Sequence, residues 1–282
     1  MASPDLTAAA AAVDLAKGVV DAATRHLAAA GDIDANQVVA YDLAHAAAAV
    51  EIARAVLDYG AKGDVEAGIA CAFVADAVYD LGTRTLGREG LWGMEHGALG
   101  GAHDFVVTYR DPAFLAGLAG EAGPRHLDSD LEMVQDTFRR FAEEQVKPVA
   151  EHVHRTNGDI PEALIGGLAE LGTFGLSVPE EYGGFAAGGE GEYLAMVVAT
   201  EELSRGSLGV AGSLITRPEI LTRALVKGGT EEQKHEWLPK LASGEIMNAV
   251  AVTEPDFGSD VAGIKVTATR DGTDWVINGV KT

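Results

Sequence analysis

The chain has one cysteine, Cys71, so no intrachain disulfide can form. Cys71 lies in the apolar helical run Ile69-Ala-Cys-Ala-Phe73, which reads as a small core residue and fits a reducing compartment. Positive charge is scarce: 21 Lys and Arg stand against 43 Asp and Glu, for a formal net charge of -22. Binding to nucleic acid requires Lys and Arg to neutralise phosphates, so the balance argues against that class, and against an anionic membrane as partner. No uninterrupted apolar run approaches membrane-spanning length. The Ala-rich N-terminus is broken by Asp5, Asp14 and Lys17, unlike a signal or transit peptide. A soluble cytoplasmic protein is the expectation. Metal-ligand clusters are missing too. His96 and His103 have no carboxylate or Cys at ligand spacing, and His152 and His154 point to different faces of a helix, so no metal site is expected.

What is present is 282 residues with 47% hydrophobic content, enough for one large domain or two to three smaller ones. The first third reads as an Ala-rich helical bundle. Ser3-Pro4 has the form of a helix start, and Gly31 closes that helix. A second helix is expected from Asp34 to Tyr59, with Val38, Tyr41, His45, Ala48 and Ile52 on one face. A third runs from Asp64 to Leu86, with small residues suited to close packing. Gly and Pro punctuate 97–125, which reads as a linker holding a short helix at 112–118. A second helical block opens at Asp128 or Ser129, and Pro148 is expected to kink its first helix. Pro161 begins a helix that Gly172 ends; 183–191 reads as a loop, and 193–203 as a helix. Arg217-Pro218 interrupts the next apolar run. Thr230 and Gln233 have capping-box spacing before a helix over 231–241. Strand character begins at Asn248, and 266–277 reads as a hairpin about Asp271-Gly272. The expected fold is mainly α: a helical extension (1–96), a linker (97–125), a helical domain (126–247) and the first strands of a β domain (248–282).

The stretch that carries chemistry is Val250-Ala-Val-Thr-Glu-Pro-Asp-Phe-Gly-Ser-Asp260. A β-prone run stops at Thr253, and a loop of Pro, acids, Gly and Ser follows. Such a loop exposes backbone N–H groups and a hydroxyl, which suits a phosphate or a polar ring edge; a strand ending in a solvent turn gives much the same pattern. Thr-Glu-Pro-x-x-Gly-Ser-Asp after an apolar strand resembles the flavin-contacting signature of the acyl-CoA dehydrogenase family. Three further stretches resemble that family in the expected order: Val178-Pro-Glu-Glu-Tyr-Gly-Gly184, Gly229-Thr-Glu-Glu-Gln-Lys234 with Trp237-Leu-Pro239, and Trp275-Val-Ile-Asn-Gly-Val-Lys281.

The resemblance implies a helical domain leading into a β-barrel-like sheet domain, and FAD as cofactor. The family removes the α-proton of an acyl-CoA with a Glu, sends the β-hydride to the flavin and passes electrons to electron-transferring flavoprotein. Homodimers or homotetramers are implied. By motif, the Val250 backbone and Thr253 would face the flavin pyrimidine edge, with Val252 beside the ring. Gly258 would permit close approach, and Ser259 would meet the FAD pyrophosphate or the CoA arm. Family members often carry an aromatic residue at Val250 and small residues at Asp256-Phe257. Glu254 and Asp260 read as turn caps. The base Glu of the family falls beyond residue 282, so no residue here is assigned to it, and the chain resembles the front half of a longer protein. The segment Gly212-Ser-Leu-Ile-Thr-Arg-Pro218 corresponds to the far end of the acyl pocket. There Arg217, with Thr216 and Ser213, fits a distal carboxylate, while a surface pairing of Arg217 with Glu219 or Asp260 remains the plainer reading. Arg205 and Arg223 are competing candidates. The N-terminal helical extension resembles the (2S)-methylsuccinyl-CoA dehydrogenase subgroup. A generic short- or medium-chain dehydrogenase, an oxidase and a non-catalytic flavoprotein stay open as alternatives.

Overall fold

A computed structural model describes residues 2–120 and 123–282, and the side chains of Glu190 and Arg217 also lie outside that description. The chain divides into two compact units, Met1–Arg125 and His126–Thr282.

The first unit is built on three long helices, α1 (Leu6–Ala30), α2 (Gln37–Gly60) and α3 (Asp64–Thr85). Asp5, not Ser3, caps α1: its carboxylate accepts from the Ala8 N–H at 2.9 Å. Gly31 ends the helix in the left-handed region that its lack of Cβ allows. Alanines at the contacts bring the helices close; Ala9, Ala23, Ala70 and Ala75 are fully buried. The face of α2 that carries Val38, Tyr41 and Ile52 turns to solvent, and the helix packs instead through Val39, Leu43, Ala46, Val50 and Ala53. Both stripes have helical spacing, so periodicity alone does not rank them. At the far end of α3, Arg84 and the following Arg88 each donate to Asp42 on α2 at 2.8 Å.

Residues 97–120 carry two short helices. They supply α4 (His103–Tyr109) and α5 (Pro112–Leu118), whose Phe105, Tyr109 and Phe114 are buried in the first core. The Tyr109 hydroxyl donates to the Ser3 carbonyl at 2.9 Å. The Gly and Pro residues punctuate short helices here, and the three aromatic rings bury enough apolar area to hold the segment down.

The second unit starts with α6 (Ser129–Phe141), a single π turn (Ala142–Val146) and α7 (Lys147–Thr156). Pro148 has no N–H and its ring crowds the carbonyl four residues back; the wider π turn just before it absorbs both defects, so the helix continues. Helices α8 (Glu162–Glu170) and α9 (Glu190–Ser207) pack with them around Phe138, Val146, Leu168, Ala199 and Leu203. A second π turn (Leu208–Gly212) follows α9. Arg217-Pro218 lies in the first turn of α10 (Thr216–Gly228), where a helix resumes as expected, because proline in a first turn forfeits no internal hydrogen bond. Helix α11 (Glu231–Ala242) carries the capping box of Thr230 and Gln233. The hairpin is β1 (Thr267–Asp271) and β2 (Asp274–Asn278), antiparallel, with Asp271 opposite Asp274 and Gly272 at φ +63 in the turn. No ladder forms at 248–253. That run is β-prone, but a strand needs a paired neighbour, and among the described residues it has none there.

The loop Val178–Gly184 is closed by its own backbone. Gly184 sits so close beneath it that an added Cβ would lie 2.0 Å from the Val178 carbonyl oxygen. Gly184→Ala is therefore expected to cost about 1–3 kcal/mol or more in urea unfolding. Gly166→Ala, on α8 with nothing within 4 Å of its added Cβ, is expected to be neutral or stabilising by about 0.5–1 kcal/mol. Equal losses in the two variants would contradict this packing.

Candidate cofactor-binding site

The run Val250–Thr253 has no regular secondary structure and is exposed; Val250 is 50% and Val252 47% accessible. The N–H groups of Val250, Ala251 and Val252 make no hydrogen bond among the described residues. The carbonyls that follow are tied down. The Thr253 oxygen accepts from the Thr282 N–H at 2.9 Å, and the Val252 oxygen from Lys281 Nζ at 2.7 Å.

Glu254 is the buried member of the loop, at 6% exposure. Its carboxylate accepts from the Lys265 N–H at 2.7 Å, the Val266 N–H at 2.9 Å and Lys281 Nζ at 3.0 Å. Burial pushes this carboxyl up, but the two amides and the ammonium outweigh it and hold it below its usual range. Glu254 thus caps backbone groups 11 and 12 residues away. Asp260 stands at the start of a 3₁₀ turn, Val261–Gly263, without a side-chain cap hydrogen bond.

Phe257 is accommodated by Gly263, whose added Cβ would lie 2.3 Å from the ring. Gly258 differs. Its φ is not positive, and an added Cβ would meet only the Thr253 Cγ2, at 3.8 Å. Nothing in the chain's own packing requires glycine there. Ser259 is exposed beside it.

The candidate substrate residues lie elsewhere in the unit, and no hydrogen bond or ion pair joins them to 250–260 among the described residues. The Ser213 hydroxyl donates to the Gly209 carbonyl (3.4 Å) and that of Thr216 to the Ser213 carbonyl (3.0 Å). The Arg217 side chain lies outside the described residues. The competing arginines are committed. Arg205 bonds Glu202 at 2.8 Å and also Glu143. Arg223 donates to Glu219 (2.8 Å), the Tyr193 hydroxyl (2.9 Å) and Glu192 (3.4 Å). The plainer pairing of Arg217 with Glu219 thus meets a carboxylate already engaged by Arg223. Sequence reading missed Lys281, which appeared only as the last residue of a strand motif; Asn-Gly-x-Lys after a strand was the available signal.

Residues 128–245, covering α6 to α11, match the family described as acyl-CoA dehydrogenase, N-terminal domain. The chain is 49% identical over 160 residues to a (2S)-methylsuccinyl-CoA dehydrogenase of Cereibacter sphaeroides, which covers 57% of this chain and 28% of that protein. Residues 128–245 are thus similar to the N-terminal domain of acyl-CoA dehydrogenases. The chain is also 35% identical over 157 residues to a glutaryl-CoA dehydrogenase of Desulfococcus multivorans, covering 56% of this chain and 40% of that one. Among solved structures, a glutaryl-coenzyme A dehydrogenase in complex with glutaryl-CoA superposes with a TM-score of 0.50 at 35% identity, over 57% of this chain and 40% of the other. The chain thus spans well under half the length of these acyl-CoA dehydrogenases. Among its described residues, no helix is long and apolar enough to cross a membrane.

Proposed function

We propose that this chain is part of an FAD-dependent acyl-CoA dehydrogenase whose substrate is a short branched dicarboxylic acyl-CoA such as (2S)-methylsuccinyl-CoA. Electrons pass to electron-transferring flavoprotein, and the protein works as a homodimer or homotetramer in the cytoplasm. The observation that carries the reading is the exposed signature loop, with three amides unpaired among the described residues and a glycine that its own packing does not require. These features fit a flat polar ring and a pyrophosphate. The hydride acceptor for the β-carbon is then supplied by FAD. The chain's residues hold and orient it: the Val250 backbone and Thr253 at the pyrimidine edge, Val252 against the ring, Gly258 allowing close approach, and Ser259 toward the pyrophosphate or CoA arm.

The dicarboxylic substrate is supported by the two relatives named above, both of which act on acyl groups with a second carboxylate. Arg217 is the residue proposed to receive that carboxylate, since Arg205 and Arg223 are already engaged. An unpaired charge in a pocket for a plain fatty chain would be costly to bury. The test uses the complete enzyme and a dicarboxylic and a neutral acyl-CoA of equal length. In Arg217→Met, kcat/KM is expected to fall about a hundredfold more for the dicarboxylic substrate, as the loss of a desolvated charge pair requires. An equal fall for both, or none, rejects the assignment.

A further inference from the structure

We propose that Lys281 is a positioning residue for the flavin-contact run, because its ammonium ties the Val252 carbonyl to the buried Glu254 carboxylate. The inference rests on the reading of 250–260 as flavin-facing. Residues 250–253 form no ladder, so something other than sheet pairing must fix them. Two bonds come from Lys281, at 2.7 Å to Val252 and 3.0 Å to Glu254, across 29 and 27 residues of chain. Glu254 in turn holds the amides of Lys265 and Val266, at the entry to β1. The result is a closed circuit: run, ammonium, carboxylate, hairpin.

The chemistry suits lysine. An ammonium offers three donors in a small volume, so it can serve a carbonyl and a carboxylate together. It is 26% exposed and its carboxylate partner 5%, so the contact is shielded from screening. Both ends of the circuit are needed at once. Without the ammonium, the carboxylate keeps two amides but loses its cation, and the Val252 carbonyl is released. The Thr282 amide still reaches Thr253, so the run loosens without detaching. A loosened run must be ordered again when a ligand binds, which lowers affinity even though no group that touches the ligand has changed.

The test compares wild type, Lys281→Met and Lys281→Arg. Methionine keeps the stem and removes the donors; arginine restores cation and donors. Amide exchange is read in the chain without cofactor, and FAD affinity and the visible flavin band in the complete protein. In Lys281→Met the Lys265 and Val266 amides are expected to exchange about tenfold faster and the FAD Kd to rise about tenfold, as the loss of charge-assisted bonds implies. Lys281→Arg is expected to recover most of both. Unchanged exchange overturns the proposal, because the tie then holds nothing. Faster exchange with unchanged FAD affinity and an unshifted flavin band overturns it as well, because the tie then positions nothing for the flavin. A wild-type protein that retains no FAD removes the functional reading and this inference with it. Faster exchange in Lys281→Met would, in that case, locate the failure in the flavin assignment and not in the tie.

Discussion

Trp92→Ala is expected to lower the stability of the first unit by about 3–5 kcal/mol, while Trp92→Phe costs far less. Trp92 is fully buried in a core otherwise built largely of alanine and valine. Small residues collapse poorly onto a missing indole, because their own helices are already in contact, so the alanine variant leaves a cavity. The indole N–H is buried with no partner among the described residues. Phenylalanine deletes that unpaired donor along with part of the ring, and the two effects oppose each other. Urea unfolding of both variants, followed by circular dichroism, checks the pair. Equal losses would mean that ring volume is not what Trp92 contributes.

The second large effect belongs to Glu202. This residue of α9 is fully buried, and Arg139 of α6 reaches it with two hydrogen bonds, at 2.7 and 3.2 Å. The Arg139 guanidinium, against the opposing cost of burial and with Arg205 in support, holds the carboxyl at about 2. A carboxyl held below its usual value of 4.5 binds its proton more weakly in the folded chain than in the unfolded one. Its contribution is therefore complete above the unfolded value, and it is lost as the pH falls through about 4.5 to 2. The size is about 3 kcal/mol at neutral pH, from the free energy of a shift of that extent. Glu202→Gln is expected to lose about that amount at pH 7 and little at pH 2. Arg139 and Arg205 are partly exposed, so both rehydrate in the variant and neither becomes a buried orphan charge. Denaturant unfolding across pH 2–7 measures it, and a variant whose deficit is constant over that range would contradict the ion-pair account.

The sequence by itself determined most of the helical elements, the hairpin and the resemblance to acyl-CoA dehydrogenases. Helix ends were local facts: Gly31 past α1, the Thr230–Gln233 box before α11 and Asp271-Gly272 in the hairpin each act within a few residues, so the chain states them without a partner. The run proposed to contact a flavin was legible for the same reason, as a contiguous run of residue types.

Only the tertiary structure decided which surface of an element is covered. Val38, Tyr41 and Ile52 have the same spacing as the buried stripe of α2, and packing alone chose between the two. Residues 97–120 have the composition of a connector, yet Phe105, Tyr109 and Phe114 lie in a core whose other members are far away in sequence. Pro148 and Pro218 both depended on what their helices did next, a π turn in one case and a fresh start in the other. The circuit of Val252, Glu254 and Lys281 joins residues up to 29 apart. Its energy comes from burying a carboxylate among distant donors, and the local pattern of residues gives no register for such a contact until the chain has closed on itself.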